Sequence, residues 1–163
     1  MQIIEAKESD LIRIEQMMQK VWEPTFRHFV AQKQIELMQK EMHHVKAYQK
    51  QIQSGHHFLI AQEDKQLLGF VSYYELENGI KISKLYIDIQ AQSKGVGKKL
   101  LQEVISKAKL KNFHFIELNV NRYNKALYFY RRLGFYIKES QDIPYQEFYL
   151  YDYLMRYDID KNE

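Results

Sequence analysis

Gln92-Ser93-Lys94-Gly95-Val96-Gly97-Lys98 lies between an apolar, strand-like run from Ile80 to Ile89 and an amphipathic helical stretch from Val96 to Leu110. A glycine-containing turn that feeds a helix leaves the first backbone N–H groups without partners, with the positive end of the helix dipole behind them. That arrangement is a ready cradle for a phosphate or pyrophosphate. Gly95 and Gly97 lack the Cβ atoms that would hold a ligand away, and Lys94, Lys98 and Lys99 add positive charge.

Outward from this turn the chain reads as one domain, residues 1–163, with a mixed α/β order. Gln2 to Ala6 predicts a first strand. Ser9 is a candidate N-cap for a helix carrying Leu11, Ile14, Met17, Met18 and Val21 at helical spacing, which Pro24 should interrupt. A second helical region spans residues 32–53 and closes at Ser54-Gly55. His57 to Ala61, Leu67 to Glu75 and Ile80 to Asp88, joined by short polar turns, predict an antiparallel meander. After the helix at Val96 come a strand at residues 113–120, a helix at residues 123–133 stopped by Gly134, and two strands at residues 135–139 and 148–155.

Composition narrows the function. The net charge is +3 and the lysines are spread over helix faces, which argues against nucleic acid. The chain has no cysteine, which excludes disulfides, thiolate metal sites and a cysteine nucleophile. Residues 1–7 lack a basic segment followed by an apolar one, and no apolar run approaches the ~20 residues of a membrane span. A cytoplasmic protein without membrane association is the expectation. The pairs His43-His44 and His56-His57 diverge on a helix or a strand, so no metal site is expected.

A nucleotide P-loop would need a longer loop ending in Gly-Lys-Ser/Thr, and a dinucleotide fold would need a third glycine in a parallel unit. Neither pattern is present. Gln92, Gly95 and Gly97 instead match the Gln/Arg-x-x-Gly-x-Gly/Ala loop of the GNAT superfamily of acetyl-CoA-dependent N-acetyltransferases. A second segment follows, with Asn124, Ala126, Tyr130, Gly134 and Phe135 resembling the superfamily's Asn-x-x-Ala…Tyr-x-x-x-Gly-Phe stretch, although Asn124 lies six residues before Tyr130 where seven is commoner. Trp22-Glu23-Pro24-Thr25-Phe26, Gly55-His56, Lys84-Leu85-Tyr86-Ile87, Asn119-Val120-Asn121 and Asp152-Tyr153-Leu154-Met155 resemble the bacterial spermidine/spermine acetyltransferase branch. Ser83 stands where that branch leads one to expect a histidine.

The resemblance implies a GNAT fold: a central mixed, largely antiparallel sheet of six to seven strands, flanked by about four helices and splayed by a bulge between strands 4 and 5. It implies acetyl-CoA as cosubstrate, with the pantetheine against the backbone of Leu85, Tyr86 and Ile87. The pyrophosphate would lie on the amides of Gln92, Ser93, Lys94, Gly95, Val96, Gly97 and Lys98. Asn119, Asn124 and Lys125 would serve as further cofactor contacts, and Tyr130 as the acid that protonates the departing thiolate. Arg131 and Arg132, with Lys125, are candidates for the 3′-phosphate. Tyr128 is read as a packing residue. The fourth strand offers no carboxylate before Asp88, so Glu75, Glu117 or a water chain at Ser83 must serve as the base. Glu23, Glu36 and Glu41, on the helices that wall the acceptor groove in such a fold, would attract a polycation. The acceptor implied is a small primary amine, first a polyamine. A protein N-terminus or lysine is the alternative enzyme substrate, and a catalytically weak CoA-binding regulator the alternative class. A homodimer would use Tyr149, Tyr151 and Tyr153 on one face of the last strand.

Overall fold

The computed structural model describes residues 1–161. Seven strands form one sheet in the order β1-β2-β3-β4-β5-β7-β6. They are β1 (Gln2–Glu5), β2 (His57–Glu63), β3 (Gln66–Leu76), β4 (Gly79–Ile87), β5 (Phe115–Asn121), β6 (Tyr136–Tyr145) and β7 (Phe148–Asp158). Every pairing is antiparallel except β4 with β5. The expected meander is present. Its two turns use the left-handed residues Asp64, Lys65 and Asn78, which short hairpin turns require. Five α-helices flank the sheet, one more than expected: α1 (Leu11–Phe26), α2 (Gln32–Met42), α3 (Val45–Gln53), α4 (Val96–Leu110) and α5 (Ala126–Arg132).

The strand period of two sends alternate side chains to opposite faces, and each face builds its own core. On one side Leu100, Leu101, Val104 and Ala108 of α4 and Leu127 of α5 pack on Val71, Ile80, Ile82, Ile116 and Leu118. On the other, Leu11, Ile14, Met18 and Trp22 of α1, with Ile35 and Tyr48, pack on Phe58, Ile60 and Phe70. The result is three layers, helices on both faces of one sheet.

Four local expectations are corrected. Pro24 does not end α1, which runs two residues further. A proline near a helix C-terminus forfeits one backbone bond, and here Thr25 Oγ1 donates back to the Val21 carbonyl at 2.7 Å while Trp22 Nε1 ties the helix to the Ile35 carbonyl at 2.9 Å. Asp10, not Ser9, caps the first turn, its carboxylate accepting from Lys7 N–H at 2.8 Å. The stretch 32–53 is two helices, because the His43 ring is drawn into the core. There it lies 4.5 Å from Trp22, with Nδ1 3.1 Å from the Tyr48 hydroxyl. His44 then restarts the helix by accepting from Ala47 N–H at 3.2 Å. Finally, β6 and β7 are much longer than the sequence suggested, forming a hairpin that reaches residues 145 and 148.

Candidate active site

The last parallel pair between β4 and β5 is Ile82 with Leu118. Immediately beyond it, β4 bulges: Tyr73 faces Ile82 and Ser72 faces Lys84, so Ser83 is the extra residue. From there β4 follows β3 as far as Ile87, whereas β5 continues along β7 to Asn121. Leu85, Tyr86 and Ile87 therefore line a gap, one edge bonded to β3 and the other open. An open strand edge is a template on which an extended amide-bearing chain can lie as a further strand.

The chain leaves β4 by way of Asp88, whose N–H donates to the Leu68 carbonyl at 2.8 Å and whose carboxylate accepts from Gln90 N–H at 3.0 Å. Gln92 Nε2 reaches back to the Ile87 carbonyl at 3.4 Å, which joins the turn to the gap. Ser93 and Gly95 both adopt left-handed backbone, φ 65° and 81°, and Gly95 is the N-cap of α4. The first backbone bond back to the turn comes from Lys99 N–H to the Gly95 carbonyl, 3.1 Å. The amides before it point outward with the exposed Lys94, Lys98 and Lys99 around them.

Within the fold the two glycines do different things. A Cβ on Gly95 would meet nothing within 4 Å, so its requirement is the left-handed backbone. A Cβ on Gly97 would lie 3.1 Å from Phe129 Cζ of α5. Gly97 thus lets α5 press against α4. Gly97→Val is expected to lower stability by about 1–3 kcal/mol through overpacking, read from the urea midpoint.

Helix α5 carries Tyr130. Asn124 Oδ1 accepts from Ala126 N–H at 2.9 Å and its carbonyl from Leu127 N–H at 3.1 Å, so Asn124 caps the helix. Gly134, φ 103°, closes it. Tyr130 is buried against Phe129 and Phe135, ring centroids 5.3 and 5.7 Å away, and its hydroxyl has no hydrogen-bond partner among the described residues. Burial pushes that hydroxyl's pKa well above its ordinary value, so it stays protonated. Lys125, Arg131 and Arg132 are exposed along the helix. Tyr128, expected to pack, is 59% exposed.

An acetyltransferase (GNAT) domain model matches residues 26–143. The chain belongs to the GNAT family. Among solved structures it is similar to a PaiA N-acetyltransferase from Thermoplasma acidophilum in complex with coenzyme A, at 24% identity and TM-score 0.83, covering 96% of this chain and 98% of that one. It is also similar to the ribosomal-protein-S18-alanine N-acetyltransferase of Escherichia coli, at 16% identity and TM-score 0.74, covering 97% and 93%. An L-2,4-diaminobutyric acid acetyltransferase of Halalkalibacterium halodurans is 34% identical over 71 residues, 42% of this chain and 38% of that protein. The names span several acceptor classes, so the family is settled at a coarser level than the acceptor.

Within this GNAT domain both carboxylates read as bases lie on the paired side of the splay. Glu75 is exposed and paired with Lys111. Glu117 takes Arg156 at 2.6 Å and Lys138 at 3.1 Å. Burial pushes Glu117 up, but the hydrogen bonds from Arg156 and Lys138 outweigh it and hold the carboxyl below its usual range. Neither is placed to accept a proton at the gap. Glu41 is engaged by Tyr145 and Gln146, which latches the β6–β7 hairpin to α2, and Glu23 pairs with Arg27 at 4.0 Å. Tyr149 and Tyr151 stack at 6.0 Å, with Arg122 over Tyr151 and Tyr153 on the same face.

Three groups lie at or beside the splay: Asn119, already named from the sequence as a cofactor contact, and His56 and Lys84, which the sequence offered only within family-like segments and without a role. His56, from the α3–β2 connection, brings Nδ1 to 3.4 Å from Ser83 Oγ at the bulge. Lys84, buried under α3, donates to Gln51 Oε1 at 3.0 Å. Asn119 is held at both ends of its amide, by Lys81 on Oδ1 and by Gln141 and Asp152 on Nδ2. No sequence spacing links residues on strands that are adjacent only after folding. Among the described residues no cluster of three or more His, Asp or Glu is arranged to hold a metal, and no helix is long and apolar enough to cross a membrane. Two surface grooves, of about 260 and 400 Å³, are lined by no residue of the splay or of the glycine turn.

Proposed function

We propose that this chain transfers the acetyl group of acetyl-CoA to the primary amine of a small alkylamine, a polyamine first, by direct attack in a ternary complex. The observation that carries the reading is the continuity of the open β4 edge, Leu85 to Ile87, with the outward amides of Gln92 to Lys98 and with Tyr130 behind them. The pantetheine amides complete the open edge as a strand would, and the pyrophosphate neutralises the helix N-terminus. A freed N–H on the β4 edge polarises the thioester carbonyl, a contact of the kind worth roughly 2.7–4 kcal/mol. Asn124 and Lys125 lie at the start of α5, where the capped backbone fixes Tyr130 and the lysine offers charge to a phosphate. Asn119 supports the floor of the gap. Tyr130 protonates the departing thiolate.

The polyamine choice rests on the likeness to the spermidine/spermine branch and on a relative named for a diamine acceptor. The two acceptors share an alkyl primary amine with a second nitrogen nearby. A thiol-release assay with acetyl-CoA and spermidine, L-2,4-diaminobutyrate or a peptide with a free N-terminus tests it. Turnover is expected to be fastest with spermidine. Faster turnover of the peptide overturns the polyamine assignment, and CoA binding without turnover on any amine overturns the enzyme in favour of a CoA-binding regulator.

A further inference from the structure

A primary ammonium must lose a proton before it can attack, because at pKa ~10.4 less than about 0.1% of it is free amine at neutral pH. Glu75 and Glu117 are engaged elsewhere. On the sheet face beneath α1–α3, β5 and β7 instead turn Asn119 and Asp152 towards each other. Asn119 Nδ2 donates to Asp152 Oδ2 at 3.3 Å and to Gln141 Oε1 at 2.8 Å. The Lys81 ammonium on Asn119 Oδ1 fixes which way that amide points. Arg122 passes close by, but its bonds go to the main-chain carbonyls of Asp152 and Gln141, at 3.3 and 3.0 Å, and to the Asp142 carboxylate.

Asp152 is therefore held by one oxygen, and Oδ1 accepts no bond among the described residues. Its place matters as much. Asn119 is the first β5 residue beyond the last pair with β4, so the carboxylate that it holds lies at the mouth of the gap. Across the gap, Tyr86 of β4 lies within the electrostatic reach of both Asp152 and Tyr130. Three elements thus converge on one opening.

We propose that Asp152 is the catalytic residue that receives the acceptor, holding its ammonium on Oδ1 and taking the proton that frees the nitrogen for attack. This rests on the acetyltransferase reading above. An ammonium N–H proton passes to Oδ1, the nitrogen lone pair forms the C–N bond, and the C–S bond breaks. The leaving thiolate takes its proton from Tyr130, which recovers one from the acylated nitrogen. Asp152 then releases its own proton to solvent. Ammonium and thioester become amide, thiol and one proton. Burial raises the Asp152 carboxyl, against the opposing pull of Asn119, Lys81 and Arg122, which makes it a better proton acceptor than an exposed aspartate. The charged and titratable groups that face it are Lys81 and Tyr86 from β4 and Arg122 from the loop after β5.

The test compares wild type, D152N and His56→Gln with spermidine and acetyl-CoA, following kcat/KM from pH 7 to 10 alongside CoA affinity by calorimetry. D152N keeps the shape of the side chain and its Asn119 bond. It is expected to lower kcat/KM ~100-fold at pH 7 with CoA affinity unchanged. The deficit should shrink steadily towards pH 10, as the free amine fraction rises and no base is needed. A deficit that is the same at every pH marks a structural role and overturns the proposal. So does a D152N enzyme that matches wild type, or a pH-rescued deficit that appears in His56→Gln instead. Absence of thiol release by wild type itself overturns the acetyltransferase reading, a result distinct from all of these.

Discussion

Tyr130→Phe is expected to lower kcat by about 100-fold or more while leaving CoA affinity nearly unchanged. The thiolate of the leaving group has a conjugate acid of pKa near ~8.5, so expelling it unprotonated at neutral pH is uphill. Tyr130 is the hydroxyl on α5 behind the gap. Its surroundings keep it protonated, because burial against Phe129 and Phe135 disfavours the phenolate. Since the hydroxyl bonds to no described residue, its removal leaves no protein group without a partner, and the phenylalanine ring keeps the same packing. Stability should therefore move by less than about 1 kcal/mol, which separates a chemical role from a structural one. Single-turnover kinetics with bound acetyl-CoA read the effect directly. An unchanged kcat would remove Tyr130 from the reaction.

The glycine turn, helix α4 and the meander were legible because each rests on local chemistry. Gly95 supplies a left-handed N-cap, apolar residues recur at helical spacing behind it, and Asp64-Lys65 and Asn78-Gly79 make tight turns. The splay was legible only through resemblance. No local rule says that β4 stops pairing after Ile82, or that β7 inserts between β5 and β6. Pro24 and His43 misled because tertiary packing overrode propensity: Trp22 anchors the end of α1, and the core accepts His43 at the cost of a helix break. The packing role of Gly97 was hidden for a related reason. A glycine needed at a helix crossing looks like any other in sequence, and only the position of Phe129 shows the crossing. Asp152 was visible as part of a family-like segment but without a role, since its partners Asn119, Lys81 and Gln141 come from three other strands.

Stability is expected to fall as pH drops below about 6.5, before most carboxylates titrate, and to rise from pH 8 towards 10, above which the buried tyrosines, held protonated in the fold, reverse the trend. His43 and Lys84, buried near each other under α1–α3, are responsible. Burial, with help from Lys84 and His44, holds His43 down from 6.5 to about 3. Between those values the unfolded chain binds a proton that the folded chain refuses, so stability is lost as pH falls, by roughly 4–5 kcal/mol if the whole window is crossed. Burial also holds Lys84 down from 10.5 to about 8, with no carboxylate to offset it. Below pH 8 the fold carries a buried ammonium; from pH 8 to 10 the unfolded chain again binds more protons at this lysine, so stability climbs, by about 2–3 kcal/mol. Urea unfolding at a series of pH values reads both limbs. His43→Asn should flatten the acid limb, because the amide mimics Nδ1 without titrating. Lys84→Met should raise stability at pH 7 by up to about 3 kcal/mol and abolish the alkaline rise, since an apolar chain of similar volume replaces an unpaired charge. The two variants should not add. Removing the Lys84 charge takes away part of what depresses His43, so Lys84→Met should also make the acid limb shallower. An acid limb of unchanged depth in Lys84→Met would show that the two groups do not feel each other through the core.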